Sequence, residues 1–336
     1  KLPREENVQN FKIIRSHVWF SIKLFFVSPG LYFRMINSQQ DIIHTIGIRS
    51  FQSFVGALVA YKKKIPLFIS DQGGLTTHPD LHTRNVWTTI LYKIQSPMIR
   101  FIINQAKKII VANEYEKKIF SQLTDENRIE VVRNGINLES MKSSVNFKKK
   151  YAVNQNYFLF LGRFHRVKGI DTLLKAINLI KDHPIMSNAK LVVMGVDFGF
   201  EGEMLKMIKE MGLDNIIKVI KNPPREDVIA AYKESEFLVL PSRWELSPLT
   251  PLEGFAFKKP TISTKAHGIP YTLHDGKDSI LVETENYKEL SDMIIDLLND
   301  KKKCERLGME GYEFVHKECN SKRMAQQILN IYEKSI

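Results

Sequence analysis

The chain has 336 residues, 43% hydrophobic and 26% charged, which excludes a disordered or fibrous protein and leaves room for two cores. Its two cysteines, Cys304 and Cys319, form no metal-ligand spacing and read as reduced thiols of a cytoplasmic protein. The net charge of +12 lies in residues 1–150, which hold 23 Lys and Arg against 11 Asp and Glu, so that half is expected to meet phosphates or an acidic membrane face.

No apolar run reaches the roughly 18 residues that span a bilayer. Val18–Phe33 comes nearest and is interrupted by Lys23, Pro29 and Gly30. No secretory pattern is read at Lys1, and no membrane crossing is expected.

In chain order, short β-branched runs alternate with helical patterns. Phe11–Arg15, Asp41–Thr45, Pro66–Ser70, Lys108–Ala112 and Ile129–Val132 read as strands. Helices are expected over His17–Ser38, Arg49–Lys62, Val86–Gln105 and Glu114–Leu123. Continuous apolar strands separated by helices predict a parallel, doubly wound α/β sheet covered on both faces. The polar, Lys-rich stretch Val145–Asn156 reads as a linker, after which the pattern restarts. Tyr157–Leu161, Lys190–Met194, Ile216–Ile220, Phe237–Leu240, Thr261–Ser263 and Ile280–Val282 are predicted strands. Helices are predicted over Gly169–Lys181, Glu201–Met211, Arg225–Ser235 and Leu249–Phe257, with closing helices at Tyr287–Asn299, Lys301–Lys317 and Ser321–Ser335. The expected domains are 1–145 and 146–320, with the helix of 321–336 packing back toward the first.

Two segments carry chemistry. The run from Phe160 to Gly169, with Gly162, Arg163, Lys168 and Gly169, ends a strand and opens a helix, where a parallel sheet presents its ligands. Gly162 permits close approach of a ligand, while Arg163 and Lys168 place a planar fork and a point charge on a diphosphate. The run from Pro241 to Glu253 follows another strand and enters a helix, putting Glu245 in the loop and Glu253 on the helix. Carboxylates accept two hydroxyl hydrogen bonds well, which suits a sugar and a ribose diol. The amides near Leu249 and Thr250 open that helix and favour a phosphate. Taken singly, each segment has a plain alternative: solvated basic residues in a βα loop, or two surface glutamates.

Together they resemble retaining glycosyltransferases of family 4, which have the GT-B fold. The resemblance covers about Lys108 to Glu283. Within it Lys107–Asn113, Asn134-Gly135-Ile136, Leu191–Gly195, Gly268-Ile269-Pro270 and Asp275-Gly276 also fall in family order. It implies two Rossmann-like domains with the donor site in the cleft between them. It also implies a metal-independent transferase whose co-substrate is a nucleoside-diphosphate sugar, with no further cofactor. Arg163 and Lys168 would hold the donor diphosphate at Gly162, and Glu245 would contact the transferred sugar. Glu253 would take the ribose hydroxyls, the backbone near Leu249 the distal phosphate, and the Lys221-Asn222-Pro223 turn would lie by the base, with Gly195, Pro248 and Thr250 also among the donor-binding residues. Ser247 is a candidate for sugar selection.

Three departures stand out. Pro248 occupies a position where many members carry Gly, and it has no N–H to give a phosphate. Where the family often has a His-Gly pair facing the donor sugar, this chain has Gln72, Gly73 and Gly74, leaving Asp71 or His78 to contribute on the acceptor or sugar side. Nothing before Phe11 resembles the family's first strand and Gly-rich loop, so the chain is expected either to be a fragment or to have lost that unit. The aromatic and basic segments Trp19–Arg34 and Trp87–Phe101 suit helices lying in a membrane interface. A lipid-linked or cell-envelope glycan acceptor at the cytoplasmic face is the corresponding expectation, with ordinary core helices as the alternative. Competing classes are a GT-B sugar-nucleotide epimerase, a phosphorylase, a donor-binding scaffold without turnover, and a nucleic-acid binder. No pyridoxal-lysine motif supports the phosphorylase and no nucleic-acid motif the last.

Overall fold

Two short antiparallel hairpins open the chain. β1 (Glu5–Val8) pairs with β2 (Phe11–Ile14), and β3 (Phe20–Ile22) pairs with β4 (Phe25–Val27). The strand expected over Phe11–Arg15 is thus present but antiparallel, outside the doubly wound sheet. The helix expected over His17–Ser38 is confined to α1 (Pro29–Asn37). Pro29 gives the reason: with fixed φ and no N–H it starts a helix and cannot continue one from upstream.

The computed structural model describes residues 3–22, 25–73, 75 and 86–336. They fall into two compact units, 1–132 with 328–336, and 133–327. In the first unit β5 (Ile43–Ile46), β6 (Leu67–Ser70), β7 (Ala106–Val111) and β8 (Ile129–Val131) form a parallel sheet in the order β5-β6-β7-β8. They alternate with α2 (Phe51–Lys63), α3 (Val86–Gln105) and α4 (Glu114–Phe120). Ile43, Leu67, Ile69, Ile109 and Val111 from the strands and Val55, Val59, Ile102 and Ile103 from the helices make its core. Tyr332 belongs to this unit too: its ring lies 4.7 Å from that of Phe68 and its hydroxyl hydrogen-bonds His44.

The second unit begins at Arg133, upstream of the boundary expected at residue 145. Arg133 donates to the Tyr271 carbonyl at 2.9 Å, and the Ile136 N–H to Cys319 at 2.9 Å. Within the stretch that reads as linker lies a short helix, α5 (Phe147–Tyr151), whose Phe147 is fully buried. Glu234 accepts the N–H groups of Phe147 and Lys148 at its start, and buried Asp227 accepts from Lys150 and Tyr151. Polar composition hid an element that is anchored by two carboxylates and one aromatic ring.

Six parallel strands follow: β9 (Asn156–Leu161), β10 (Ala189–Gly195), β11 (Ile217–Lys221), β12 (Leu238–Leu240), β13 (Thr261–Thr264) and β14 (Ser279–Val282). Their order is β11-β10-β9-β12-β13-β14, the doubly wound order in which the chain reverses direction across the sheet after the third strand. The intervening helices are α6 (Ile170–Ile180), α7 (Glu201–Glu210), α8 (Arg225–Glu234) and α9 (Leu249–Phe255). α10 (Tyr287–Asn299), α11 (Lys301–Glu318) and α12 (Ser321–Glu333) close the chain. Side chains of β9 alternate between two cores, Phe158 and Phe160 on one face, Tyr157 and Leu159 on the other. On α6, Ile170, Leu173, Leu174, Ile177 and Ile180 recur at helical spacing and are all buried. Two Rossmann-like parallel sheets are therefore present. Among the described residues no helix is long and apolar enough to cross a membrane.

Candidate functional site

The reversal in strand order lies between β9 and β12, joined by the Leu159–Leu238 pair. At such a point successive crossovers leave in opposite directions and the loops at the strand C-termini face each other. Here those loops are 162–169 and 241–248, the two segments that sequence alone marks for chemistry.

Close backbone approach brings them together. Gly169 ends the turn of residues 166–168 with φ +68°, a left-handed conformation that favours glycine, and starts α6. A Cβ on it would fall on the Pro241 carbonyl oxygen. Gly195, at the end of β10, is packed in the same way against the Gly162 carbonyl. The Gly162 N–H in turn donates to Met194 at 3.1 Å.

Across this junction the Lys168 ammonium is ion-paired to Glu245 Oε1, with each side chain only 13% exposed. Ser242 Oγ donates to the same oxygen at 3.3 Å, and the Glu245 carbonyl accepts the Gly268 N–H at 3.0 Å. Desolvating both charges is costly, and each depends on the other. Arg163 differs: it is exposed and lies over the Phe198 ring at 5.1 Å. Pro248 leads into α9 without a capping side chain, so the amides of Leu249 and Thr250 open the helix with no side-chain cap. Ser247 precedes them, partly exposed.

Glu253, on α9, has partners that sequence reading missed. Arg225 grips it with both terminal nitrogens, at 2.6 and 3.1 Å, and Tyr232 donates at 2.8 Å. The hydrogen bond to Glu253 raises the Arg225 pKa; burial, then Glu253, raises that of Tyr232. One signal was available: Arg225 opens α8, where a cation opposes the helix dipole and calls for a nearby anion. The turn before it carries Asn222 at φ +49°, whose N–H donates to the Gly195 carbonyl at 2.8 Å. Lys221 pairs with Glu201 at 2.8 Å, and Pro223 and Pro224 lead into α8.

A second missed residue is Arg243. Its guanidinium takes Asp171 bidentately at 2.7 and 2.7 Å, and its Nε donates to Glu285 at 2.7 Å. Burial pushes the Asp171 carboxyl up, but the Arg243 fork outweighs it and the pKa ends below the ordinary value.

The acceptor-side candidates lie in the other unit. Asp71 is buried, and its carboxylate accepts the N–H groups of Ile48 at 3.1 Å and Leu75 at 2.7 Å. Gln72 and Gly73 both have positive φ, +47° and +99°. Beneath them the buried Glu116 accepts from Gly73 at 3.2 Å and Ala112 at 2.7 Å. Burial pushes its carboxyl up to about 7, with Asp71 adding to the rise. Gly74 and His78 lie outside the described residues.

Residues 142–314 match the family described as glycosyl transferases group 1. The chain belongs to the group 1 glycosyl transferases. Residues 2–140 match the description Glycosyltransferase Family 4. An uncharacterised glycosyltransferase of Methanocaldococcus jannaschii is 29% identical over 244 residues, covering 70% of this chain and 62% of that protein. A D-inositol 3-phosphate glycosyltransferase of Corynebacterium kroppenstedtii is 24% identical over 248 residues, covering 70% and 55%. The chain thus spans little more than half the length of these relatives. Among solved structures, sucrose-phosphate synthase of Thermosynechococcus elongatus superposes with a TM-score of 0.76 at 18% identity, over 99% of this chain and 85% of the other. HepE of Anabaena, solved with UDP and glucose, gives 0.76 at 17% identity over 91% and 81%. These structural likenesses, like the paired sheets, speak for the GT-B fold of this family.

Proposed function

We propose that this group 1 glycosyl transferase moves a sugar from a nucleoside-diphosphate sugar to a hydroxyl acceptor with retention of anomeric configuration. The observation that carries the reading is the meeting of Lys168, Glu245 and the uncapped start of α9 at the strand reversal of the second unit. Lys168 and Arg163 are the cations for the diphosphate, and their charge offsets the negative charge that grows on the departing phosphate. The amides of Leu249 and Thr250 are suited to the distal phosphate. Glu245 is suited to the hydroxyls of the transferred sugar, and Glu253, held in place by Arg225 and Tyr232, to the ribose diol. The turn Lys221–Pro223 and Gly195 would border the base. The acceptor hydroxyl attacks on the face the phosphate is leaving, and that phosphate takes up its proton. The UDP held by the Anabaena relative supports a nucleotide donor of this kind.

On the acceptor side the reading is a lipid-linked or cell-envelope glycan at the cytoplasmic membrane face. Phe11 and Trp19, each 70% exposed, and Phe33, 63% exposed, support it, with Lys12, Arg15 and Arg34 nearby in sequence. The Asp71–Gly73 turn is the proposed acceptor-side element of the first unit.

The test is calorimetric titration with UDP, GDP, ADP and their hexose conjugates, followed by donor hydrolysis with Glu245→Ala. At least one conjugate should bind, and Glu245→Ala should lower hydrolysis about 100-fold or more. Binding of none of them, or hydrolysis unchanged by the substitution, would sink the assignment.

A further inference from the structure

Among the basic residues in the two site loops, Arg243 is held by the most protein acceptors, although its side chain is 23% exposed. Its Nε donates to Glu285 at 2.7 Å. One terminal nitrogen donates to Asp171 Oδ1 at 2.7 Å and to the Arg166 carbonyl at 2.5 Å. The other donates to Asp171 Oδ2 at 2.7 Å and to Thr172 Oγ1 at 3.4 Å. A guanidinium has five N–H donors, and all five face protein acceptors. Its backbone N–H is also engaged, to the Val167 carbonyl at 2.8 Å. No donor remains for a phosphate, and two carboxylates already balance the charge.

These contacts surround Lys168 in the chain: Arg166, Val167, Asp171 and Thr172 flank it on both sides. Arg243 itself stands two residues before Glu245. We infer that Arg243 is the positioning residue of the donor site, setting the distance between Lys168 and Glu245 without touching the sugar nucleotide. This rests on the function proposed above.

The shape of the side chain matters as much as its charge. The Asp171 pair needs two parallel N–H groups in one plane, and the carbonyl of Arg166 and the Glu285 carboxylate need donors on either side. A lysine offers one point charge and can satisfy Asp171 or Glu285, not the whole set. Another fixed point of the loop is the Ser242 carbonyl, which accepts from Thr264 Oγ1 at 2.6 Å and holds the loop to the sheet rather than to the Lys168 turn. Loosening the Arg243 side chain therefore removes its share of the link between the two loops, leaving the Val167 backbone bond, the Gly169–Pro241 approach and the attachment of the 241–248 loop to its strands.

The test compares Arg243→Lys, Asp171→Asn, the double variant and a control, Asp227→Asn, in the full chain. The control neutralises a buried carboxylate of the same unit whose side-chain partners, Lys150 and Tyr151, belong to α5 and to neither site loop. Isothermal calorimetry with UDP, GDP and ADP and their hexose conjugates reads affinity separately from the folded fraction, which appears as stoichiometry. Arg243→Lys should weaken the sugar nucleotide about tenfold, and the bare nucleoside diphosphate less, because only the former engages both Lys168 and Glu245. Asp171→Asn should do the same, and the double variant should add little, since the two act as one unit. The control should lower stoichiometry or melting temperature with affinity within about twofold. Arg243→Lys binding as the wild type does, or the control losing as much affinity, overturns the positioning role alone. A wild-type protein that binds none of these nucleotides overturns the donor site and this inference with it.

Discussion

Glu116 is a carboxyl placed where its charge is poorly tolerated, and it gives the first unit a pH dependence of predictable sign. Its pKa rises from 4.5 to about 7, chiefly through burial, so the folded state holds a proton that the unfolded chain releases. Stability is then full below about pH 4.5 and falls as pH climbs toward 7, by about 3 kcal/mol for a shift of this size. Glu116→Gln should flatten that slope, measured by urea denaturation between pH 5 and 8. It should also cost about 1 kcal/mol throughout, since an amide has one acceptor for the two N–H groups that Glu116 receives. An unchanged slope would show that Glu116 does not titrate in this window. Nothing local in the sequence marks this residue: its neighbours in the chain read as an exposed helix start, and only tertiary packing brings the Asp71 loop over it. The two carboxylates proposed for the donor were legible as a pair for the opposite reason. Glu245 and Glu253 lie in one continuous segment whose spacing survives folding. Their partners Lys168, Arg225 and Tyr232 come from other strands and helices, and pairing across elements has no period to read.

Elements show the same division. The strands and helices of both parallel sheets follow their apolar patterns closely, because a strand covered on both faces must be a continuous apolar run. Of the hairpins before α1 only β2 was read as a strand; β1, β3 and β4 have three or four residues, too short for alternation to be told from a helical stripe. The helix α5 escaped because its stability comes from Phe147 and from carboxylates on α8 rather than from an amphipathic face. Gly169 is where local and tertiary demands coincide. Its positive φ ends the Lys168 turn, and its lack of a side chain lets Pro241 approach. Gly169→Ala should therefore cost more than the ~1 kcal/mol of a left-handed alanine, since the Pro241 backbone must also shift. We expect a loss of about 3 kcal/mol in the second unit and at least tenfold weaker nucleotide binding. Melting curves and calorimetry check both; a stable variant that binds as the wild type does would mean the loops meet less tightly than this geometry requires.

At the scale of the whole molecule, the chain carries two units that share no strand, and the residues proposed for donor and acceptor fall in different ones. Every residue proposed for the donor, from Gly162 to Glu253, lies in the second unit, while the Asp71 turn and the exposed aromatics lie in the first. Charge follows the same division in part: residues 1–132 hold 18 Lys and Arg against 10 Asp and Glu. The Lys-rich α5 segment, counted with the basic half by sequence, belongs to the second unit, where Asp227 takes up one of its lysines. Separate cores imply separate unfolding events, and a ligand that binds one unit stabilises that unit by mass action. Scanning calorimetry without nucleotide should resolve two transitions. A nucleoside diphosphate at about 100 times its dissociation constant should add about 2.7 kcal/mol to the second unit alone, raising its transition by a few degrees. Glu245→Ala should leave most of that shift, because the contacts proposed for the diphosphate, Lys168, Arg163 and α9, remain, but should remove the extra shift that the sugar conjugate gives over the bare nucleotide. A shift confined to the first unit would place the nucleotide there and overturn the assignment of Lys168 and Arg163. Movement of both transitions together would mean that nucleotide binding is coupled to the first unit, and that the acceptor-side loop senses the donor.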